Sequence, residues 1–390
     1  MAAGPGRRQT ALSFAAGPAL VSTSTFLTCL GLLGLTSTAW ALDNQTLVDQ
    51  RGERLGAFLT QEPDTRQGSL EVVQTGRASK AYLTQRDSQG DRTRVEQGGV
   101  GNFTNVSQAA GGAREIVIDQ REASQSHAYV YQGHGQRDGV DILQSGLQNE
   151  ALVRQGGDDQ RMLIEQQGAR NQLSLFQDGR DSGSRSRLKQ VGDDHVQDVL
   201  SLGARNEVDL LQGGDANRAV VEQRGDDNQA GARQGARQQD VQLIQIGNRN
   251  SAAVQQNGPE GGAQSVSARQ LGDDNAVQAI MNGNGNRLDL HQQGDRNRVG
   301  VLIGGDDSRL NLVSQGNDNE VSAVWLGDHI ELGVEQLGDG HSFSAGLGSD
   351  AQVSASQQGT GQYASISQIG AGSHVDLRQS GQGNRATIQQ

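Results

Sequence analysis

Hydrophobic and polar side chains alternate strictly through most of this chain. In one stretch, Ala151, Val153 and Gln155 fall on one side of an extended strand, whereas Glu150 and Arg154 fall on the other. Alternation with a period of two over about seven residues, bounded by glycine-containing turns, predicts a strand with one buried face. No stripe with the period of an amphipathic helix is present, and glycine recurs too often for a helix. The pattern therefore predicts an all-β protein.

The predicted strand recurs every 11 residues, as Gln144, Gln155 and Gln166 show. In the most regular units, glycine follows two residues after the glutamine and asparagine follows five residues after it. About 31 such half-repeats cover residues 42–390, although a few glutamines are replaced, as by Ile303. Glycine adopts a positive φ freely, and asparagine tolerates turns and bonds the nearby backbone. The Gly-x-x-Asn segment therefore predicts a tight turn between strands.

Glutamine and asparagine fall on the inward face of the predicted strands, where an unpaired amide is costly. Identical amides that stack in register can bond those above and below, as in cross-β fibres. We therefore predict a structural ladder made of Gln144, Asn149, Gln155, Gln166, Asn171, Gln212, Asn217, Gln223, Asn228, Gln245, Asn250, Gln270, Asn275, Gln292, Asn297, Gln379, Asn384 and Gln390. The glycines expected in the intervening turns are Gly146, Gly168, Gly214, Gly225, Gly247, Gly272, Gly294 and Gly381.

The repeat also predicts the architecture. One half-repeat cannot bury its inward face alone, so two half-repeats should form a strand–turn–strand coil of about 22 residues that stacks on the next coil. Stacking coil on coil gives a β-solenoid of two facing parallel sheets with an amyloid-like backbone arrangement. Insertions, such as that at residues 259–262, are expected in the turns.

The N-terminal segment, residues 1–41, reads as an export signal. Arg7 and Arg8 supply a basic start, an apolar run follows, and Ala39 and Ala41 fit a cleavage site. Ordinary secretion is favoured over twin-arginine export. The only cysteine, Cys29, lies inside this segment, so the mature chain is expected to have no disulfide and no cysteine metal site.

The composition of the chain is unusual but does not alter the prediction of an all-β fold. Hydrophobic residues make up 33% and aromatic residues 3% of the chain, with 55 glycines. Such a composition alone would suggest disorder, but the periodicity overrides that interpretation. The net charge of −12 argues against binding to nucleic-acid phosphates, and no segment after the export signal is long and apolar enough to cross a membrane.

Candidate chemistry is sparse. Gly-Asp-Asp clusters occur at residues 192–194, 225–227, 272–274 and 305–307. They lack the nine-residue beat of calcium-binding β-rolls, so we interpret them as exposed turn acids that repel when stacked and keep the chain soluble. The tripeptide Arg224-Gly225-Asp226 spells an integrin-type motif that chance explains in this composition. No spacing indicates a catalytic, cofactor or metal site, so we do not expect an enzyme.

The units resemble curlin repeats, which build curli, the functional amyloid of bacterial biofilm matrix. The resemblance rests on the recurring Gln-x-Gly-x-x-Asn-x-Ala-x-Val-x-Gln pattern and covers roughly residues 44–390. It implies secretion of an unfolded chain through an outer-membrane pore with accessory factors, nucleation by a minor subunit, and assembly on the cell surface. The chain departs from the family in its length and because Asn44 and Gln50 already match the repeat, which leaves no separate segment for targeting to the pore.

Two functions are compatible with these features. The first is a structural subunit of an extracellular curli-type fibre, assembled by templated stacking of coils and serving biofilm matrix and surface adhesion. In this hypothesis a regular final unit, residues 384–390, offers an uncapped strand for pairing. The alternative is a soluble, monomeric β-solenoid that acts as a surface adhesin or binding scaffold.

Overall fold

The structure is a computed structural model that describes residues 43–179, 183–258, 262–326, 331–348, 351–367 and 374–389. The predicted export signal with Cys29, the inserted residues 259–261, and Gln390 lie outside the described residues. Strands and turns make up the described residues, and among them no helix is long and apolar enough to cross a membrane. The chain divides into two compact units between Gly183 and Ser184.

The first unit is built from short parallel strands. In chain order these are β1 (Gln45–Glu53), β2 (Gly56–Gln61), β3 (Ser69–Arg77), β4 (Lys80–Gln89), β5 (Arg92–Gln97), β6 (Phe103–Gly112), β7 (Glu115–Gln120), β8 (Ala123–Ser124), β9 (His127–Gln132), β10 (Gly135–Gln136), β11 (Gly139–Leu147), β12 (Glu150–Gly156), β13 (Arg161–Ala169) and β14 (Gln172–Asp178). One sheet contains β1, β3, β5, β7, β8, β11 and β13, and the other contains β2, β4, β6, β9, β10, β12 and β14. The chain thus passes from one sheet to the other at nearly every turn.

The second unit repeats this arrangement. Its strands are β15 (Arg185–Asp193), β16 (Val196–Leu202), β17 (Glu207–Asp215), β18 (Arg218–Arg224), β19 (Gln229–Gln234), β20 (Asp240–Ile246), β21 (Ser251–Asn257), β22 (Ser265–Leu271), β23 (Ala276–Asn282), β24 (Arg287–Gln293), β25 (Arg298–Gly304), β26 (Arg309–Gln315), β27 (Glu320–Leu326), β28 (Val334–Asp339), β29 (Ser342–Leu347), β30 (Gln352–Thr360), β31 (Tyr363–Ser367), β32 (His374–Gln382) and β33 (Arg385–Gln389). The odd-numbered strands form one sheet and the even-numbered strands form the other.

Each strand pairs in parallel with the strand one coil later. In β17 and β19, for example, Val208 lies beside Ala230 and Gln212 lies beside Gln234, a displacement of 22 residues. Each unit is therefore a β-solenoid, and the prediction of an all-β solenoid with coils of about 22 residues is confirmed. The insertion after β21 leaves this pairing intact, because Gln245 of β20 still lies beside Gln270 of β22.

The core of each unit lies between its two sheets. In β12 the side chains of Ala151, Val153 and Gln155 are buried, whereas those of Glu150 and Arg154 are exposed, as the alternation predicts. The buried apolar positions of the other strands carry mainly alanine, valine, leucine and isoleucine. Burying one such side chain contributes about 1.5–3 kcal/mol for the larger ones, so the repeated faces together supply the main driving force for folding.

Candidate functional site

Glutamines at the ends of many strands form hydrogen-bonded columns, which are interrupted where another residue takes the position, as at Met281 or Ser314. In the second unit, Gln223 Nε2 donates to Gln245 Oε1 at 2.9 Å, and Gln245 Nε2 donates to Gln270 Oε1 at 2.9 Å. Each amide points the same way along the column, with its donor towards the later coil. The same bond joins Gln120 to Gln144, Gln144 to Gln166, Gln212 to Gln234, Gln234 to Gln256, Gln270 to Gln292 and Gln357 to Gln379.

These glutamines also tie the two sheets of a coil together. Gln245 Nε2 donates a second bond to the carbonyl oxygen of Gln229, which begins the preceding strand in the opposite sheet, at 2.9 Å. Gln223 makes the equivalent bond to Glu207 at 3.1 Å. A fully buried amide is tolerated because both its donor and its acceptor are used. In the first unit, Gln155 accepts a bond from Gln132, but its own Nε2 has no acceptor among the described residues.

The asparagines hold the turns by a different set of bonds. Asn228 Nδ2 donates to the carbonyl oxygen of Gly247 at 2.8 Å, and the backbone N–H of Asn250 donates to Asn228 Oδ1 at 3.0 Å. Simple amide-to-amide stacking was expected from the sequence. The shorter asparagine side chain instead uses its oxygen for the backbone of the next coil and its nitrogen for turn carbonyls, with longer amide contacts such as Asn250 Nδ2 to Asn228 Oδ1 at 3.2 Å.

Nearly all of the residues assigned to the structural ladder lie in the core. The buried ones are Gln144, Asn149, Gln155, Gln166, Asn171, Gln212, Asn217, Gln223, Asn228, Gln245, Asn250, Gln270, Asn275, Gln292, Asn297 and Gln379. Asn384 is exposed, and its Nδ2 donates to the carbonyl oxygen of Ser380 at 2.7 Å. Gln390 lies outside the described residues.

The turns use two left-handed positions rather than one. The assigned glycines Gly146, Gly168, Gly214, Gly225, Gly247, Gly272, Gly294 and Gly381 all have φ between 83° and 122°. The second left-handed residue is not the asparagine but the residue before it, as at Asp227 with φ of 60° and Arg249 with φ of 55°. Non-glycine residues at such angles are uncommon, so the stacked turns hold each of them in place.

Two stacked turns in the first unit replace the asparagine pattern with buried charges. Arg114 and Asp91 are both completely buried, and Arg114 Nη2 donates to Asp91 Oδ2 at 2.5 Å. Arg114 Nη1 also donates to the carbonyl oxygens of Ala109 and Gly133. One coil further along, the buried carboxylate of Asp138 accepts a bond from the backbone N–H of Gln160 at 2.9 Å.

Asp138 titrates near neutral pH. Burial raises the pKa of the Asp138 carboxyl to about 7, which the nearby Arg114 opposes only in part. The neighbouring carboxylates Asp158 and Asp159 raise this pKa further. In the folded chain this group is therefore protonated at mildly acidic pH, where an unfolded aspartate is ionised.

The folded chain is expected to lose about 2 kcal/mol of stability at Asp138 as the pH rises from 5 to 7. Below the ordinary pKa of 3.8 both states hold the proton, so the group adds no pH dependence there. Between 3.8 and about 7 only the folded chain holds it, and each increase in pH favours unfolding. Urea unfolding at pH 5 and pH 7 measures the effect. Asp138→Asn is the non-titrating control, and an equal pH slope in both proteins would contradict the prediction.

Two histidines replace the asparagine in other turns. The backbone N–H of Asn217 donates to His195 Nδ1 at 3.2 Å, while His195 Nε2 lies 3.2 Å from the carbonyl oxygen of Val191. His341 makes the equivalent contacts with Gln362 and Leu337. Burial lowers the pKa of His195, which suits the neutral ring that this pair of bonds requires. The signal was present in the sequence, because both histidines lie five residues after a glutamine of the 11-residue repeat.

The turn acids do more than face solvent, which corrects the interpretation from the sequence. Asp226 Oδ1 accepts a bond from the backbone N–H of Ala204 in the preceding coil at 2.8 Å. Asp227 is bonded by Arg205 of that coil, which lowers the pKa of the Asp227 carboxyl. The integrin-type tripeptide at residues 224–226 thus lies in a turn whose carboxylate is engaged by the backbone. Among the described residues, no group of three or more His, Cys, Asp or Glu side chains is placed to hold a metal ion.

Aromatic side chains gather on the outer face of one sheet in the first unit, a feature that sequence reasoning missed. Phe58 and Tyr82 stack with ring centroids 4.7 Å apart, and Phe103 lies 5.6 Å from Tyr82 and 5.5 Å from Tyr129. Each contact joins neighbouring coils. Cross-strand aromatic pairs of this kind add stability to a sheet.

Replacing Gln245 by leucine is expected to lower the free energy of unfolding by about 2 kcal/mol. The change removes two buried hydrogen bonds, from Gln223 to Gln245 and from Gln245 to Gln270. Chemical denaturation measures the loss. Gln242→Leu, at an exposed position of the same strand, is the matched control and should change stability little. Equal effects of the two replacements would show that the buried column adds no stability.

Three segments of the chain, which contain these columns and turns, match a known family of repeats. Residues 135–168, 203–235 and 348–381 match the family model of the curlin associated repeat. No curated protein matches the chain. Each matched segment is longer than one 22-residue coil and contains a ladder glutamine followed by a turn glycine, such as Gln144 and Gly146 or Gln223 and Gly225. These three segments are therefore curlin-associated repeats, and the resemblance inferred from the sequence is confirmed.

Proposed function

We propose that this chain is a structural subunit of an extracellular curli-type fibre and that it assembles by stacking coils of one copy on those of another. The observation that carries the proposal is the polarity of the glutamine columns. Each glutamine bonded to another within these columns turns its donor towards the later coil and its acceptor towards the earlier one, as Gln223, Gln245 and Gln270 do. One face of a coil thus presents glutamine donors and the opposite face presents glutamine acceptors, so the two faces can bond to each other.

The backbone supports the same mode of growth. All described strand pairs are parallel and displaced by one coil, so an unpaired strand at a coil face offers a row of N–H and C=O groups to another strand. A coil added from a second copy would continue the amide columns, the apolar core and the backbone bonds together. This combination is the source of stability in cross-β fibres.

The remaining parts of the proposal follow the family. We propose secretion directed by residues 1–41, assembly outside the cell, and roles in biofilm matrix and surface adhesion. A nucleating subunit and an outer-membrane pore with accessory factors are the proposed partners in export and assembly. The columns and turns serve as structural positions in this proposal, and no catalytic role is assigned to them.

Fibre formation by the purified chain tests the proposal. The chain from residue 42 onward, diluted from denaturant and incubated alone, should form fibres with reflections at about 4.8 Å and about 10 Å. Fragmented fibres added to fresh chain should shorten the lag phase, because broken ends supply coil faces. A stable monomer that shows neither growth nor these reflections over days would contradict the proposal and favour a monomeric adhesin or scaffold.

A further inference from the structure

One turn edge of the second unit carries charges that alternate from coil to coil. The six positions precede the asparagine position of successive turns after the even-numbered strands, and each has a left-handed φ between 54° and 60°. In stacking order they are Arg205, Asp227, Arg249, Asp274, Arg296 and Asp318, here called the charged column. Every neighbour in the column thus has the opposite charge.

The charges in the column are paired between coils with defined geometry. Arg205 Nε and Nη2 donate to Asp227 Oδ1 and Oδ2 at 2.7 Å each. The same two bonds, at 2.7–2.8 Å, join Arg249 to Asp274 and Arg296 to Asp318. The bond from Arg205 lowers the pKa of Asp227, and Arg249 on the other side lowers it further. Each acid inside the column therefore interacts with arginine both before and after it.

The other columns of the even-numbered strands distinguish neighbouring coils only where a glutamine is replaced, as by Ser314. The same glutamine recurs at Gln223, Gln245 and Gln270, and the turn glycines and asparagines recur in the same way. The apolar positions vary only among small and medium aliphatic side chains, as in Val221 and Leu243. If β18 paired with β22, or β20 with β24, ladder glutamines would still meet and the core would still be apolar. Such a displacement would, however, place Arg opposite Arg and Asp opposite Asp.

We propose that the charged column sets the stacking register of the second unit by disfavouring pairings displaced by one coil. Exposed ion pairs contribute little stability individually. When attraction becomes repulsion at several positions, however, the free energy of the displaced stacking rises above that of the native stacking. The alternation of Arg and Asp repeats every two coils, whereas the ladder glutamine of a sheet recurs every coil. The charged column acts within one chain and does not depend on fibre formation.

The opposite turn edge supplies a matched control. Asp307 has the same left-handed conformation, with φ of 56°, but the residue one coil earlier at its position is Gly285. Asp307→Arg changes the net charge as Asp274→Arg does, yet only Asp274→Arg places three arginines in succession. A rescue variant exchanges arginine and aspartate at all six positions of the charged column, which restores alternation at unchanged net charge.

Introduced cysteine pairs report the register directly. The chain from residue 42 onward has no cysteine of its own. Gln242 lies beside Ser267 in neighbouring coils, so Gln242→Cys with Ser267→Cys reports the native register. Val220 and Ser267 lie two coils apart, at about 10 Å, beyond the reach of a disulfide. A disulfide between cysteines at these two positions would report the displaced register.

The experiment compares the yield of each intramolecular disulfide after dilute refolding of the full mature chain. Asp274→Arg should raise the displaced disulfide relative to the native one by roughly tenfold, because two attractive neighbours become repulsive. Asp307→Arg and the six-position exchange should leave the ratio of displaced to native disulfide near that of the unmodified chain. In 1 M salt, the ratio for Asp274→Arg should move closer to that of the unmodified chain. The proposal is overturned if Asp274→Arg and Asp307→Arg give the same ratio or if the exchange fails to restore it. Failure of fibre growth would not alter either result.

Discussion

Replacing Arg114 by alanine is expected to lower the free energy of unfolding by about 3–5 kcal/mol. The replacement removes the partner of the completely buried Asp91 carboxylate and the donor to the Ala109 and Gly133 carbonyls. A carboxylate left without its partner in the core pays the full cost of desolvation. Denaturant unfolding of the full chain, followed by a backbone probe such as circular dichroism, measures this loss.

The matched control restores the amide pattern of the other turns. In the double variant Asp91→Asn with Arg114→Asn, no charge remains buried at these two positions. Stability is expected to return to near that of the original chain, because neutral groups that keep their hydrogen bonds cost little when a buried ion pair is replaced as a whole. If Arg114→Ala were no more destabilising than the double variant, the ion pair would have no structural importance.

Replacing Gly225 by alanine is expected to cost about 3 kcal/mol. Gly225 has φ of 111°, and a Cβ atom there would lie 2.1 Å from the carbonyl oxygen of Gly247 in the next coil. The backbone carbonyl cannot move aside without breaking the turn of that coil. Both the left-handed conformation and the close approach between coils therefore require glycine at this position.

Gly300→Ala provides the comparison for this prediction. Gly300 lies on the outer face of β25, without a left-handed φ, and a Cβ atom there would meet nothing within 4 Å. Alanine at Gly300 is expected to leave stability unchanged or raise it slightly, because the unfolded chain loses conformational freedom. The thermal or denaturant unfolding midpoints of Gly225→Ala and Gly300→Ala measure the two effects. Similar midpoints would mean that stacking does not constrain the turn glycines.

Much of the fold was predictable because it rests on local regularity. The alternation around Ala151 and Val153 identified the buried face, and the spacing from Gln144 to Gln166 identified the coil. A strand with period two has only one inward face, so a chain that repeats this pattern has few alternative packings. The candidate ladder could be marked in the same way, since it occupies fixed places in the repeat.

Other features escaped sequence reasoning because they depend on which coil lies against which. Arg94 of β5, for example, bonds Glu96 two residues along its own strand and also pairs with Glu71 of the neighbouring coil. The two-pronged bonds between coils lie at the turns, as between Arg205 and Asp227. The alternation of Arg and Asp at those turns was present in the sequence, but it becomes visible only once the register is known.

The sequence by itself determined the strands, the turns, the coil length and the inward positions of the glutamines. These follow from backbone geometry and from burial of one face, both of which act within a few residues of the chain. Only the tertiary structure decided which partners the polar groups bond. Asparagine side chains bond the backbone as well as other asparagine side chains, and Asp91 and Arg114 form a buried ion pair. At one turn edge, acids alternate with arginines from coil to coil. The reason is that a hydrogen bond or an ion pair between coils requires two groups about 22 residues apart to meet within 3 Å or so. That meeting is fixed by the stacking of coils and not by any single repeat.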